Sequence, residues 1–288
     1  MKLPFFNRMV IVGVGLIGGS LAMISRRKGL VKEIIGVGRG AGNLKEAVKL
    51  KIIDSFTFDI SEAVKGADLI VMATPVGSFE RLVKQMSRSL NKGAIITDAG
   101  SVKGRMVSRI ERLLPKGTYF VAGHPIAGKE RSGVKAASLT LFEGTKCILT
   151  PTKKTDASAL KKIKALWRTV GAEVVLMDPM LHDKVLGAVS HLPHAAAYSI
   201  VNTVAEIKKD GNNFIAFSGG GFKDFTRIAA SSPEMWRDIF LNNRENLVNM
   251  ISRYQKNLEK LKRYIKDKDS KGLIKELEKA KAIRDRLN

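Results

Sequence analysis

Between residues 9 and 177, short runs of β-branched residues alternate with segments of helical periodicity. Such alternation is typical of βαβ units, because consecutive parallel strands need a crossover, usually a helix, to connect them. It predicts an α/β fold built on a doubly wound, mostly parallel sheet. The predicted strands are Met9–Val12, Glu33–Val37, Leu69–Ala73, Ala94–Thr97, Tyr119–Ala122, Lys146–Leu149 and Glu173–Met177. The predicted helices are Leu16–Lys28, Ser78–Leu90, Val102–Leu113 and Ala157–Val170.

The pattern changes at Asp178-Pro179, where a good N-cap residue precedes a proline that the first turn of a helix tolerates. No clear strand follows, and the rest of the chain is predicted to be helical throughout. We therefore predict two domains, an α/β domain over residues 1–177 and an all-α domain over residues 178–288.

Two features of the predicted helical domain bear on its shape. Pro193 cannot donate a backbone hydrogen bond, so it should kink its helix between Ser190 and His194. Further along, apolar residues repeat at alternating spacings of four and three, which predicts a seam for packing against another helix. We expect a homodimer through this domain. The seam residues are Leu247, Ile251, Tyr254, Leu258, Leu261 and Ile265.

A glycine-rich turn follows the first predicted strand and opens the first predicted helix. In this context the G-x-G-x-x-G spacing is a dinucleotide-binding fingerprint: the glycines allow a tight turn, backbone approach to a pyrophosphate, and close helix–strand packing. The helix N-terminus adds free N–H groups and the positive end of its dipole. Residues 1–177 are thus predicted to be a Rossmann-type domain, with cofactor contacts from Gly13, Gly15, Leu16, Ile17, Gly18, Thr74 and Pro75.

The end of the second predicted strand bears on which dinucleotide is bound. NAD-binding domains usually carry an acid there for the ribose hydroxyls, but this chain has Gly38-Arg39. The glycine leaves room for a 2′-phosphate, and the Arg39 guanidinium could pair with it in bidentate fashion. NADP is therefore the favoured cofactor, and an exposed arginine with NAD bound is the alternative.

Two polar segments follow predicted strands at their carboxyl ends, where open α/β folds bind ligands. Ser101 and Lys103 come after the strand ending at Thr97, and His124 comes after the strand ending at Ala122. A histidine in such a loop could act as a general base near neutral pH. The simpler alternative is a histidine that only satisfies a turn.

Further polar residues lie in the predicted helical domain. Ser190 and His194 share one helical face. The His-x-x-His pair of His191 and His194, together with His182, suggests a zinc site as one interpretation. No nearby cysteine or suitably spaced acid completes a ligand set, so we favour hydrogen bonding to a carboxylate and predict no metal. Lys223 and Arg227 follow three glycines and lie four residues apart. An arginine fork holds carboxylates well, and a flexible loop is the alternative.

Composition narrows the class of protein. The chain has 288 residues, 44% of them apolar and 27% charged, which is ordinary for a globular protein. Its net charge of +23 raises nucleic-acid binding as an alternative, but the charge is spread along the chain and no nucleic-acid motif accompanies it. The single cysteine, Cys147, fits a reducing compartment, and no apolar run reaches the length of a membrane span. We expect a cytoplasmic protein that binds neither nucleic acid nor membrane.

Five motifs, in this order along the chain, resemble the prephenate dehydrogenase family, whose members are also called arogenate or cyclohexadienyl dehydrogenases. The resemblance spans nearly the whole chain, and five ordered motifs are far more specific than one. The departure is Gly38-Arg39, where NAD-using members usually carry an acid. The motifs are Gly-Leu-Ile-Gly-Gly-Ser at 15–20, Asp-Ala-Gly-Ser-Val-Lys at 98–103, Gly-His-Pro-Ile-Ala-Gly at 123–128, Ser-His-Leu-Pro-His at 190–194 and Lys-Asp-Phe-Thr-Arg-Ile-Ala at 223–229.

The resemblance implies an NAD(P)-dependent oxidative decarboxylation of prephenate or arogenate in tyrosine biosynthesis. It implies that His124, assisted by Ser101, takes the proton of the ring hydroxyl while hydride goes to the nicotinamide. Arg227 would hold a substrate carboxylate. Further substrate contacts are implied for Ser190, His194, Lys223 and, from the partner subunit, Trp236. We expect the minimal form of the enzyme, without a fused mutase or regulatory domain.

Two alternatives come from different classes. One is another Rossmann-type dehydrogenase with a helical second domain, of the β-hydroxyacid or 6-phosphogluconate type. Such enzymes depend on a catalytic lysine on the interdomain helix, for which Lys184 is the nearest candidate. The other is a basic nucleic-acid-binding or NADP-sensing protein, which would show salt-sensitive retention on DNA without turnover.

Overall fold

A computed structural model of the chain describes residues 5–128, 133–209 and 212–287. Its main sheet has six parallel strands, namely β1 (Phe6–Val12), β2 (Val31–Val37), β3 (Ser55–Thr57), β4 (Leu69–Met72), β5 (Ile95–Asp98) and β6 (Tyr119–Val121). They are ordered β3-β2-β1-β4-β5-β6, and each neighbouring pair is parallel. The order reverses between β1 and β4, and ligands of open α/β sheets bind in the crevice beyond such a point. The predicted Rossmann-type fold is confirmed.

Helices cover both faces of this sheet and bury it between two hydrophobic clusters. The first cluster packs under α1 (Leu16–Arg27), α2 (Ala41–Lys49) and α6 (Ala157–Thr169). The second packs under α3 (Ile60–Ala63), α4 (Phe79–Met86) and α5 (Gly104–Leu113). All four residues of β4 are buried, as expected for a central strand covered on both faces.

The last strands of the α/β region leave the main sheet. A separate three-stranded sheet contains β7 (Gly123–Pro125), β8 (Lys146–Leu149) and β9 (Glu173–Leu176) in that order. In it β7 and β8 are antiparallel, whereas β8 and β9 are parallel. The strands predicted at 146–149 and 173–177 therefore exist, but they do not belong to the doubly wound sheet. Strands β3 and β7 could not be predicted from the sequence, because each has three residues, too few to show the alternation of apolar and polar residues that marks a strand.

The second half of the chain is mainly helical. Its helices are α7 (Pro179–Leu186), α8 (Leu192–Glu206), α9 (Gly220–Thr226), α10 (Pro233–Asn242), α11 (Arg244–Lys266) and α12 (Ser270–Arg284). The prediction of helix throughout is wrong at one place, where the two-residue strands β10 (Lys208–Lys209) and β11 (Asn212–Asn213) pair antiparallel. Of the helices described, none is both long and apolar enough to cross a bilayer.

The junction between α7 and α8 corrects the predicted kink. The chain forms a π-helical turn at Gly187–His191, and Pro193 lies in the first turn of α8. The irregularity therefore begins before Ser190, one turn earlier than predicted. Residues 179–206 are helical without a break, so Pro193, which has no N–H, removes one hydrogen bond from this helix, and the π-helical turn lies directly before the proline.

Helix α10 connects the helical half of the chain to the sheet. Its Trp236 and Ile239 belong to the buried cluster under α3, α4 and α5. Its Asp238 carboxylate lies against Gly77, in the short turn that leads into α4. The contact is so close that a Cβ at residue 77 would collide with the carboxylate. Helix α10 therefore forms a wall over the crevice at the carboxyl end of the main sheet.

Candidate active site

The three fingerprint glycines are explained by what surrounds them. Gly13 has φ +97°, and a Cβ there would lie 2.7 Å from the Ala73 carbonyl oxygen. A Cβ on Gly18 would meet the Gly13 carbonyl oxygen and come within 2.8 Å of Ile11 Cγ2. At Gly15, by contrast, no described atom lies within 4 Å of such a Cβ. The first and third glycines therefore serve packing, and the second leaves the turn open for a ligand.

A cavity of about 780 Å³ opens beside this turn. Gly13, Gly15, Thr74 and Pro75 line it, at the ends of β1 and β4. Its size suits a nucleotide-like ligand, and no side chain caps the N-terminus of α1, so its free N–H groups can bind an anion there. Leu16 and Ile17 differ from the other predicted contacts, because their side chains pack against the core and do not line the cavity. Their backbone N–H groups, in the first turn of α1, are the groups suited to bind a pyrophosphate.

Arg39 lines the same cavity at the end of β2. Its side chain is 85% exposed, and its Nη2 lies 3.9 Å from Glu234 Oε1 on α10. An ion pair this exposed contributes little to stability, so the guanidinium can turn towards another anion at low cost. Glu234 also lines the cavity and supplies an acid near the position where β2 lacks one. Glu234 could not be predicted from the fingerprint, because it lies far along the chain from it.

His124 lies in β7, which begins two residues after β6 ends, and it is 8% exposed. Its Nδ1 lies 2.9 Å from Nε2 of His182 on α7. Nδ1 of His182 lies 2.8 Å from Oδ1 of Asp183. The same Oδ1 accepts a 2.7 Å hydrogen bond from the backbone N–H of Lys103. Two histidines and a carboxylate therefore form one hydrogen-bonded chain that joins β7 to α7.

A buried ion pair holds the loop after β5. Lys103 and Asp98 are both fully buried, with Nζ 2.5 Å from Oδ2. Lys103 Nζ also donates to the Gly100 carbonyl, and Asp98 accepts N–H groups from Gly100 and Gly123. The pair is thus fully hydrogen-bonded, which a buried charge requires. Lys103 therefore holds this loop in place, and Asp98 links the loop to β7 through Gly123. Ser101 lies within the loop, between Gly100 and Lys103.

A second buried set of hydrogen-bonded side chains, Asn243 and His191, lies where α8, α10 and α11 meet. Nδ2 of Asn243 donates to the Asp183 carbonyl oxygen and lies 3.0 Å from His191 Nδ1. His191 Nε2 is buried, and no hydrogen bond reaches it from the described residues. The Ser101 carbonyl lies near enough to this ring to favour its protonation. His191 therefore connects the helical half of the chain to the loop that carries Ser101.

Trp236 covers His194. The two rings stack with centroids 3.6 Å apart, and Nδ1 of His194 lies 3.0 Å from the Ser190 carbonyl oxygen. A carbonyl can only accept, so Nδ1 of His194 is the donor. These two stacked rings belong to the same chain. That a tryptophan of the partner subunit completes the pocket stays a prediction. Trp236 is 6% exposed and also contacts Phe240.

Burial keeps the histidines of this region uncharged. Desolvation, together with the nearby His182 and Lys103, lowers the pKa of His124 well below 6.5. Burial also lowers the pKa of His182, although its hydrogen bond to Asp183 opposes the shift. The pKa of His191 falls to about 4, again because of burial. At neutral pH these rings are therefore neutral, and each has one donor and one acceptor nitrogen.

Two predicted binding residues lie apart from this cluster. Lys223 is on α9, and Arg227 begins the short turn after it. Both side chains are exposed, and both elements pack against α8, which carries His194. These contacts place both residues in the helical half of the chain, beside the helix that carries His194. Their role stays a prediction.

The alternatives based on other residues gain no support from the geometry. Within the described part of the chain, no group of three His, Cys, Asp or Glu side chains is arranged to hold a metal ion. His182, which suggested zinc, has one ring nitrogen against His124 and the other against Asp183. Lys184 is exposed on α7, beside the buried His182 and Asp183. The sequence did not indicate Asp183 or Asn243, because their partners are distant in the chain.

Comparisons with known proteins agree with the fold and the motifs. Residues 21–176 match the family model of the prephenate dehydrogenase nucleotide-binding domain, and residues 178–279 match that of the prephenate dehydrogenase dimerization domain. A prephenate dehydrogenase of Bacillus subtilis is 36% identical, over 98% of this chain and 76% of the relative. A cyclohexadienyl dehydrogenase of Zymomonas mobilis is 33% identical, over 97% of this chain and 95% of the relative.

A solved structure extends the likeness to three dimensions. It is prephenate dehydrogenase from Aquifex aeolicus in complex with hydroxyphenyl propionate and NAD+. Its TM-score to this chain is 0.92, with 43% sequence identity over 98% of both chains. These matches favour the main interpretation over the β-hydroxyacid or 6-phosphogluconate type. The chain belongs to the prephenate dehydrogenase family of oxidoreductases.

Proposed function

We propose that this protein catalyses the NAD(P)-dependent oxidative decarboxylation of prephenate or arogenate. The proposal rests on one observation, namely where His124 lies and that its ring is neutral. It is a buried, uncharged histidine just past the carboxyl end of the main sheet, in a chain whose family acts on such substrates. A neutral imidazole held by other polar groups is suited to take a proton from a hydroxyl group.

The chemistry assigned to this chain's own residues is proton transfer and charge balance. A nicotinamide bound in the crevice supplies the acceptor for the hydride that leaves the hydroxyl-bearing carbon of the ring. His124 takes the proton of that hydroxyl. Loss of the ring carboxylate as CO2 then leaves its electron pair to complete an aromatic ring. Ser101, beside the rigid Asp98–Lys103 pair, is assigned to orient the hydroxyl.

Substrate binding is assigned mainly to the helical side of the site. We assign a substrate carboxylate to Arg227, because a guanidinium can pair with it at two points. His194 already donates Nδ1–H to Ser190, so it can donate to a carboxylate only through a protonated Nε2. Substrate binding should therefore oppose the lowering of the His194 pKa that burial causes. The residues assigned to this part of the site are Ser190, His194, Lys223, Arg227 and Trp236.

For the cofactor we propose NADP in preference to NAD. The glycines of the fingerprint fit a dinucleotide, since Gly15 leaves the turn open and Gly13 and Gly18 have no room for a side chain. Arg39 lines the same cavity with an exposed guanidinium, in place of the acid that NAD-binding domains usually carry at this position. Glu234 opposes this preference, because it would lie near a 2′-phosphate bound by Arg39.

We further propose two domains, over residues 1–177 and 178–288, and a homodimer through the second. The two family matches, which adjoin at residues 176 and 178, support this division. The seam on α11 supports the dimer, because Leu258 is 45% and Ile265 is 64% exposed in the single chain. Apolar residues this exposed along one helix commonly mark an interface.

An assay that crosses both substrates with both dinucleotides tests the proposed function. The protein should reduce NADP in the presence of prephenate or arogenate, and reduce NAD less efficiently. His124→Asn serves as the matched inactive control, because it keeps hydrogen bonding but cannot act as the base. No turnover in any of the four combinations would exclude the proposal.

A further inference from the structure

We propose that His182 and Asp183 are positioning residues that fix the tautomer of His124, so that its Nε2 is the free proton acceptor. This inference rests on the proposed function of His124 as the base. It assigns a role to two buried residues of α7 that the proposed reaction otherwise leaves without one. The geometry supports it at each link of the hydrogen-bonded chain.

The first link sets the direction of donation at Asp183. Oδ1 of Asp183 accepts the backbone N–H of Lys103 at 2.7 Å, and a backbone N–H can only donate. The same oxygen lies 2.8 Å from Nδ1 of His182. An ionised carboxylate has no proton to give, so Nδ1 of His182 must be the donor. The tautomer of His182 is therefore fixed.

The next link carries this direction to His124. With its proton on Nδ1, a neutral His182 presents Nε2 as an acceptor. Nδ1 of His124 lies 2.9 Å from that nitrogen and must donate to it. The one ring proton of neutral His124 is then on Nδ1, and Nε2 keeps its lone pair. Had the order of donation been reversed, Nε2 would carry the proton and could not act as a base.

Surrounding groups hold Asp183 in this arrangement. Asn243 donates to its carbonyl oxygen, and Gly104 lets its carboxylate approach, because a Cβ there would collide with Oδ2. Asp183 is 3% exposed and His182 is fully buried. Lys103, in contact with Asp98, and His191 are the other charged or titratable groups facing the pair. The Asp183 carboxylate is thus placed to balance the charge of His124 when it takes a proton, as in other Asp–His relays.

The first test is direct and needs no variant. Nitrogen-15 NMR of the histidine rings distinguishes the two neutral tautomers and the protonated form, and it reads His124 in the resting holoenzyme with the dinucleotide bound. We expect the neutral form with its proton on Nδ1. A proton on Nε2 would overturn the inference. This readout does not depend on turnover, so it separates a failure here from a failure of the proposed function.

Variants of His182 then test whether this residue orients the His124 ring or only fills space beside it. His182→Leu removes the acceptor for His124, and kcat should fall by about 10²–10⁴-fold, the range expected when a general base loses its orientation. The KM values should change much less. His182→Gln can present its carbonyl oxygen near the position of Nε2, so it should restore part of kcat and the Nδ1–H tautomer.

Lys184→Leu is the matched control, since residue 184 lies on the same helix turn but is exposed. It should leave kcat and the tautomer of His124 unchanged. Asp183→Asn keeps an oxygen acceptor but removes the charge, so it should lower kcat and leave the resting tautomer in place. If His182→Leu kept the kcat of the unmodified protein, or if His182→Gln gave no rescue over His182→Leu, the inference would be wrong.

Discussion

At the scale of single residues, the lowered pKa of His124 predicts the pH dependence of the reaction. A base must be unprotonated, so on the acid side kcat/KM should fall as pH drops through the pKa of His124 in the free enzyme. Since burial lowers that pKa well below 6.5, the acid-side fall in kcat/KM should begin only below pH 6.5. A fall already complete at pH 6.5 would contradict the assignment.

The measurement needs a control for unfolding. Unfolded histidines bind protons at their ordinary pKa, whereas the buried ones resist protonation, so acid favours the unfolded chain. Stability should therefore be lost as pH falls from about 6.5 towards the lowered values, which reach about 4 for His191. Initial rates measured directly after a pH jump, with circular dichroism on the same samples, separate the two effects.

Arg39 carries the prediction about cofactor choice. Arg39→Ala should raise the KM for NADP about ten- to a hundredfold, because a charge-assisted hydrogen bond to a phosphate contributes about 1.5–3 kcal/mol. The KM for NAD should hardly change. Glu234→Gln should shift the preference further towards NADP, since the acid lies 3.9 Å from the guanidinium. A natural preference for NAD would show that Glu234 outweighs Arg39.

At the scale of secondary-structure elements, the β1–α1 turn offers a matched pair of glycine variants. Gly18→Ala should destabilise the fold by about 1–3 kcal/mol, because its Cβ would press on Ile11 and the Gly13 carbonyl. Gly15→Ala should leave stability nearly unchanged but weaken dinucleotide binding, since its Cβ enters space kept for the ligand. Thermal unfolding and a dinucleotide titration measure the two effects. Equal losses of stability in both variants would contradict the division of roles.

The strands and helices also show how much of the fold can be predicted from the sequence. Long strands and helices with a clear hydrophobic period, such as β1 and α1, follow from the sequence to within a few residues. The separate sheet of β7, β8 and β9 does not, because strand pairing depends on contacts distant in the chain. The candidate site shows the same limit, because contacts between distant parts of the chain cannot be read from local patterns. His124 and Ser101 could be proposed from their position after strands, but the partners Asp183, Asn243 and Glu234 come from the second half of the chain, far from them in sequence.

At the scale of the whole molecule, the exposed seam on α11 predicts the state of association. The protein should be a dimer, and Leu258→Glu combined with Ile265→Glu should convert it to a monomer. Leaving each apolar side chain unburied costs about 1.5–3 kcal/mol, so the dimer Kd should rise at least about a hundredfold. Lys256→Glu, on the exposed opposite side of α11, is the matched control. Light scattering across a concentration series gives the masses, and a double variant that stays dimeric would place the interface elsewhere.

The most direct measurement for the whole account is the stoichiometry of products from prephenate labelled in its ring carboxylate. With NADP present, one labelled CO2 should be released for each dinucleotide reduced, and the remaining product should be the hydroxylated aromatic keto acid. His124→Asn should lower both yields together, since hydride and CO2 leave in one reaction. Release of CO2 without dinucleotide reduction, or reduction without CO2, would contradict an oxidative decarboxylation at this site.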